Sequence, residues 1–134
     1  MSTGTQIFIF ELDGKQYAFP VTYVKEVVAM PKYTPVPASP EFLLGLANYK
    51  NGVLPVYSLE KILDVNKTET PKLCLIIYSR NGVIGYGVDA VRGVRVLNNA
   101  RQLEARVRNL PGGLRVISTL QLGVEEEPIT MLDN

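Results

Sequence analysis

The chain contains an echo of itself. Phe10 to Val27 begins with an aromatic residue, breaks at Asp13-Gly14 and ends in Val21-Thr22-Tyr23-Val24-Lys25-Glu26-Val27; Tyr78 to Val94 begins likewise, breaks at Asn81-Gly82 and ends in Val88-Asp89-Ala90-Val91-Arg92-Gly93-Val94, one residue shorter. An Asp-Gly or Asn-Gly pair between apolar runs predicts a β-hairpin, because the tight primed turn needs positive φ at both central positions. Each half therefore opens with a hairpin. A pattern shared by two halves of a short chain predicts two similar β-subdomains and makes the surface between them the first place to look for function.

Composition narrows the function. At 134 residues with 46% hydrophobic side chains, the chain suits one domain, or two very small barrels sharing a core. Fourteen basic and thirteen acidic side chains leave a net charge of +1, so no global field draws it to nucleic acid or anionic lipid. There is no histidine, which removes Ser-His and Cys-His nucleophile activation and imidazole metal ligands. Catalytic residues, metal and cofactors are accordingly expected to be none. The lone Cys74, within Leu73-Cys74-Leu75-Ile76-Ile77, reads as a buried thiol. No basic segment followed by an apolar run marks the N-terminus, and the expected location is cytoplasmic.

Along the chain, Gln6 to Leu12 predicts a strand buried on both faces, Lys15 to Phe19 its antiparallel return, and Thr22 the cap of a single helical turn before a Val-rich strand to Met30. Ser39-Pro40-Glu41 predicts a short helix stopped at Gly45, and Asn51-Gly52 a tight turn between two strands. Ser58 is expected to cap a second short helix whose Leu59, Ile62 and Leu63 share a face. Residues 64–72 are polar and end near Pro71, the expected seam between subdomains. Leu73 to Tyr78 and Val83 to Val91 form the second hairpin, with a bulge or bend at Gly93. Residues 98–111 read as a polar connection, and Leu114 to Leu122 and Ile129 to Leu132 as the last strands. The predicted class is all-β, two small barrels with only isolated helical turns.

The stretch Gly45-Leu46-Ala47-Asn48-Tyr49-Lys50-Asn51-Gly52-Val53-Leu54-Pro55-Val56, followed by Val88-Asp89-Ala90-Val91, resembles the CheW-like family of chemotaxis coupling proteins. That family's pattern is Gly-x-x-Asn-x-Arg-Gly running into apolar-Pro-apolar, then Val-Asp-x-Val. The resemblance extends from about Gln6 to Leu132. It implies two five-stranded SH3-like barrels joined by a hydrophobic core, within a single domain spanning 1–134. It also implies a non-catalytic adaptor joining a chemoreceptor's cytoplasmic domain to the regulatory domain of a chemotaxis histidine kinase, with no nucleic acid bound and no membrane insertion. Lys50 and Asn51 stand where the family has Arg-Gly, and lysine is a point charge where arginine is a planar fork.

On this resemblance Val27, Val28, Lys50, Val88 and Val91 are the candidates for a receptor-binding groove, and Gly85, Gly87 and Val94 for the kinase interface. Asn48, Pro55 and Asp89 are expected to be structural. Two rival readings are a coupling protein of a surface-motility pathway and a small-barrel nucleic-acid binder using Arg92, Arg95, Arg101, Arg106 and Arg108.

Overall fold

In the computed structural model, which describes residues 5–65, 69–80, 82–98 and 100–134, both predicted hairpins are present. Strand β1 (Gln6–Leu12) pairs with β2 (Lys15–Pro20) through Asp13 and Gly14, at φ 53° and 74°, the doubly positive geometry that a primed turn requires. Strand β7 (Leu73–Ser79) pairs with β8 (Gly82–Val88), Ser79 facing Gly82; Asn81 of the predicted turn lies outside the described residues.

The strand after each hairpin sets the topology. Beyond β2, the 3-10 turn Val21–Tyr23 leads into β3 (Val24–Ala29), which pairs with β7 of the other hairpin. Beyond β8, Asp89 leads into β9 (Ala90–Val96), which pairs with β1. Each hairpin thus sends its next strand to the other. The chain accordingly divides into one unit of Met1–Thr22 with Ala90–Asn134 and another of Tyr23–Asp89. The seam expected at 64–72 is corrected: that segment, of which 66–68 lie outside the described residues, falls inside the second unit, and the divisions lie after Thr22 and Asp89.

The first unit holds one sheet. Strands β10 (Arg101–Glu104), β12 (Arg115–Gln121), β13 (Ile129–Asp133), β2, β1 and β9 lie in that order, and β11 (Arg108–Asn109) also pairs with β12. All neighbours are antiparallel except β13 and β2. Strands β10 and β11 occupy the segment expected to be a polar connection; its exposed side chains carry no core signal, and only pairing with β12 orders it. Both faces of β1 are buried, as expected, but by different partners. Ile7 and Ile9 join Ala18, Leu120, Ile129 and Met131 in one cluster, whereas Phe10 stacks on Tyr17 and Phe19 at ring distances of 5.9 and 5.8 Å. The predicted irregularity at Gly93 is a bulge: Ile9 faces Gly93, Phe10 faces Val91, and Arg92 is the extra residue.

The second unit holds the order β3, β7, β8, β6 (Gly52–Tyr57), β5 (Leu43–Tyr49), β4 (Tyr33–Thr34), with β6 and β8 parallel. Apart from two-residue β4, this is the expected five strands; the first unit has one more, plus β11. Its core gathers Ala47, Leu54, Val56, Cys74 and Ile76. Cys74 is fully buried, and burial pushes its thiol up to about 11, as an unreactive core cysteine requires. The capped helix is α1 (Leu59–Ile62), where the Ser58 hydroxyl accepts from the Lys61 amide at 3.2 Å.

Two local expectations are corrected. No helix forms after Ser39; its hydroxyl donates to the Val36 carbonyl instead, and β5 already begins at Leu43. Gly45 is therefore a strand residue rather than a helix stop, and glycine is needed there because a Cβ would collide with the Thr34 carbonyl of β4. The tight turn between β5 and β6 uses Lys50 and Asn51, not Asn51 and Gly52: Tyr49 faces Gly52 in register, and Lys50 takes the positive φ of 54°.

Candidate docking surfaces

Within the second unit, β3 and β5 lie far apart in the strand order, yet the Tyr49 hydroxyl donates to the Glu26 carboxylate. Side chains of such strands meet only if the sheet rolls round on itself. Lys50, at the turn after Tyr49, sets its Nζ 3.4 Å from the same Glu26 oxygen. Two ammonium groups flank the Tyr49 ring, Lys25 Nζ at 4.9 Å and Lys50 Nζ at 5.4 Å from its centroid. The result is a half-exposed cluster of two lysines, one carboxylate and one phenol.

The electrostatics arise from those contacts. The Tyr49 hydrogen bond, aided by Lys50, holds the Glu26 carboxyl below its usual range. The Tyr49 phenol is raised, first by burial and then by its bond to Glu26. A charged Glu26 is thus the stable form at neutral pH, and the cluster is suited to recognising polar or charged groups of a partner.

Beside it, strands β5 and β6 present an outward face. Leu46 opposes Pro55 and Asn48 opposes Val53, while Ala47 and Leu54 of the alternate register point into the core. Leu46 is 40% and Val53 60% exposed. Neither residue is among the candidates named from the sequence, although the alternation of Leu46-Ala47-Asn48 and Val53-Leu54-Pro55 carries the signal that marks this face.

The sequence profile of the CheW-like domain matches residues 6–133, nearly the whole chain. The chain belongs to the CheW-like family. Among curated relatives, the chemotaxis protein CheW of Thermotoga maritima is 33% identical over 100 residues, covering 73% of this chain and 66% of that protein. The chemotaxis protein CheW of Bacillus subtilis is 29% identical over 118 residues, covering 86% and 72%. The crystal structure of the scaffolding protein TtCheW from Thermoanaerobacter tengcongensis superposes with a TM-score of 0.81 at 23% identity, covering 98% of this chain and 90% of that one. The two-barrel CheW-like fold is thereby shown.

Set on that fold, the CheW-like motif residues separate. Lys50, in the place of the family arginine, makes an ion pair to Glu26. Val27 and Val28 on β3 and Val91 on β9 are partly exposed, and Val94 is 48% exposed. Val88 is a correction, being fully buried as the last residue of β8 and so unable to line an open groove. Gly85 and Gly87 are likewise corrected: both are buried, and a Cβ would lie 2.5 Å from Cys74 Sγ at Gly85 and 3.1 Å from Met30 and Pro71 at Gly87. They are glycines so that core side chains can cross β8. Asn48 and Pro55 share the outward face of β5 and β6, and half-buried Asp89 marks the crossing between β8 and β9.

Of the five arginines offered for nucleic acid, Arg92 is bound to Glu11 at 2.5 Å and Arg95 to Glu126 at 3.3 Å. Charges already matched in this way supply little to a phosphate backbone. No helix among the described residues is long and apolar enough to cross a membrane.

Proposed function

We propose that this chain is a chemotaxis adaptor that couples the cytoplasmic domain of a chemoreceptor to the regulatory domain of a histidine kinase, without catalysis of its own. The observation that carries this reading is the CheW-like match across residues 6–133, together with relatives described as chemotaxis and scaffolding proteins. The Glu26–Tyr49–Lys50 cluster with Val27 and Val28, in the second unit, is one receptor-facing candidate, and Val91, in the first unit, is another considered by itself. Val94 is the kinase-facing candidate.

An adaptor of this kind works by presenting two preformed patches. Neither needs high intrinsic affinity, because repetition in an array raises the effective concentration of each partner. The polar cluster supplies orientation and the exposed valines supply apolar burial.

The test is calorimetric titration of the full chain with the kinase regulatory domain and, separately, with the receptor signalling domain. Saturable one-to-one binding to each, with simultaneous binding of both, is the expected result. Binding to neither, with both domains shown to be folded, would overturn the adaptor reading and leave only the fold.

A further inference from the structure

The first unit has a cavity that the adaptor reading does not use. It measures about 340 Å³ and is lined by Glu104, Arg106, Arg108, Val116, Thr119 and Thr130. Thr119 and Thr130 are direct cross-strand partners on β12 and β13, so their side chains stand together on one face. Arg108 pairs with Val116 in register, and Arg106, two residues earlier, lines the same cavity. Two arginines and two threonines therefore line one opening.

The charges in this cavity are not spent internally. Among the described residues neither Arg106 nor Arg108 enters an ion pair or a side-chain hydrogen bond, whereas Arg92, Arg95 and Arg115 are bound to Glu11, Glu126 and Asp133. The field of Arg108 reaches Tyr17, the register neighbour of Thr130 on β2, and acts to lower its phenol against the stronger effect of burial. Glu104, opposite Thr119, is the one carboxylate in the lining.

We propose that this cavity is an oxyanion site that takes a phosphoryl group. Guanidinium forks match the geometry of a tetrahedral oxyanion, and threonine hydroxyls add donors that carry no charge. Glu104 favours a singly protonated phosphoryl group, whose O–H donates to the carboxylate while its other oxygens accept from Arg106, Arg108 and the threonines. A carboxylate ligand has no such proton to give at neutral pH. A long nucleic-acid backbone fits less well, because the two arginines face one confined opening shared with an acid.

The test is an NMR titration of the isotope-labelled full chain with sodium phosphate, against sodium chloride at matched ionic strength. The expected result is saturable shifts at Thr119, Thr130 and the Arg106 and Arg108 side chains with phosphate alone. Arg106→Gln and Arg108→Gln should each weaken binding about fivefold or more, through loss of a charged fork. Arg101→Gln, on the same segment but outside this cavity, should not change it. A phosphoserine peptide bound about tenfold more tightly than inorganic phosphate would assign the site to a protein-borne group, and equal affinity to a free phosphate compound; either result upholds the site. Shifts that fail to saturate, that occur equally with chloride, or that respond to Arg101→Gln as much as to Arg106→Gln would overturn it.

Discussion

Glu26 on β3 and Lys50 on the β5–β6 turn hold an ion pair of 3.4 Å through the same carboxylate oxygen that receives the Tyr49 hydroxyl, although their strands are remote in the sheet order. Lysine thus takes up at this position a pairing that an arginine fork would make in two bonds. Both partners remain substantially open to solvent, with side-chain exposures of 63% for Lys50 and 35% for Glu26. An exposed pair of this kind contributes little to stability.

Lys50→Glu should therefore leave the fold and melting temperature almost unchanged while abolishing receptor binding. Lys50→Arg should retain or strengthen binding. Circular dichroism melts and calorimetric titration with the receptor domain, run on both variants, check this; a Lys50→Glu variant that binds as well as the parent chain would remove the cluster from the interface.

The Glu26 carboxyl should titrate below the ordinary glutamate range, and Tyr49→Phe should raise it towards that range by removing the hydrogen bond that contributes most. Because the native pKa is depressed, the stability it contributes is present at neutral pH. It is lost as pH falls from the unfolded-state value through the native one. Carbon-detected NMR titration of the side-chain carboxyl, in both proteins, measures the direction.

Val88→Glu places a charge where the native side chain is 0% exposed, and should unfold the protein or lower its melting temperature steeply. Val88→Ala should cost about 2 kcal/mol through the cavity it leaves. Val94→Glu, at a position 48% exposed, should fold normally and lose kinase-domain binding. Urea unfolding of the three variants, with binding assays on those that fold, separates core from surface.

Gly85→Ala should destabilise by about 1–3 kcal/mol, because its Cβ would sit 2.5 Å from Cys74 Sγ. Adding Cys74→Ala should recover part of that loss, since removing the sulfur vacates the space. A double-mutant cycle by chemical denaturation tests the coupling. Purely additive losses would show that the two positions do not compete for the same volume.

Much was legible in the sequence by itself, and its legibility has a local cause. Asp13-Gly14 dictated a hairpin through the φ values these residues accept, Ser58 dictated a capped turn through its hydroxyl, and Leu73 to Ile77 declared a buried strand through an unbroken apolar run. The echo between the halves announced two related β-units, and the Asn48 to Pro55 stretch with Val88-Asp89 identified the family. These signals lie within a few residues of what they specify.

Tertiary structure decided what periodicity leaves open. Alternation tells which residues share a face but not what covers it, so Val88, a candidate for the receptor groove, and Gly85, a candidate for the kinase interface, are seen to be buried only once β8 is placed between β7 and β6. Ser39-Pro40 promised a helix, and pairing of β5 with β4 and β6 overrode it. Exchange of β3 and β9 between the hairpins, the meeting of Glu26 with Tyr49 and Lys50, and the gathering of Arg106 and Arg108 over Thr119 and Thr130 are contacts between distant segments. Such contacts depend on which strands pair and how the sheet rolls, and no local run of residues encodes that choice.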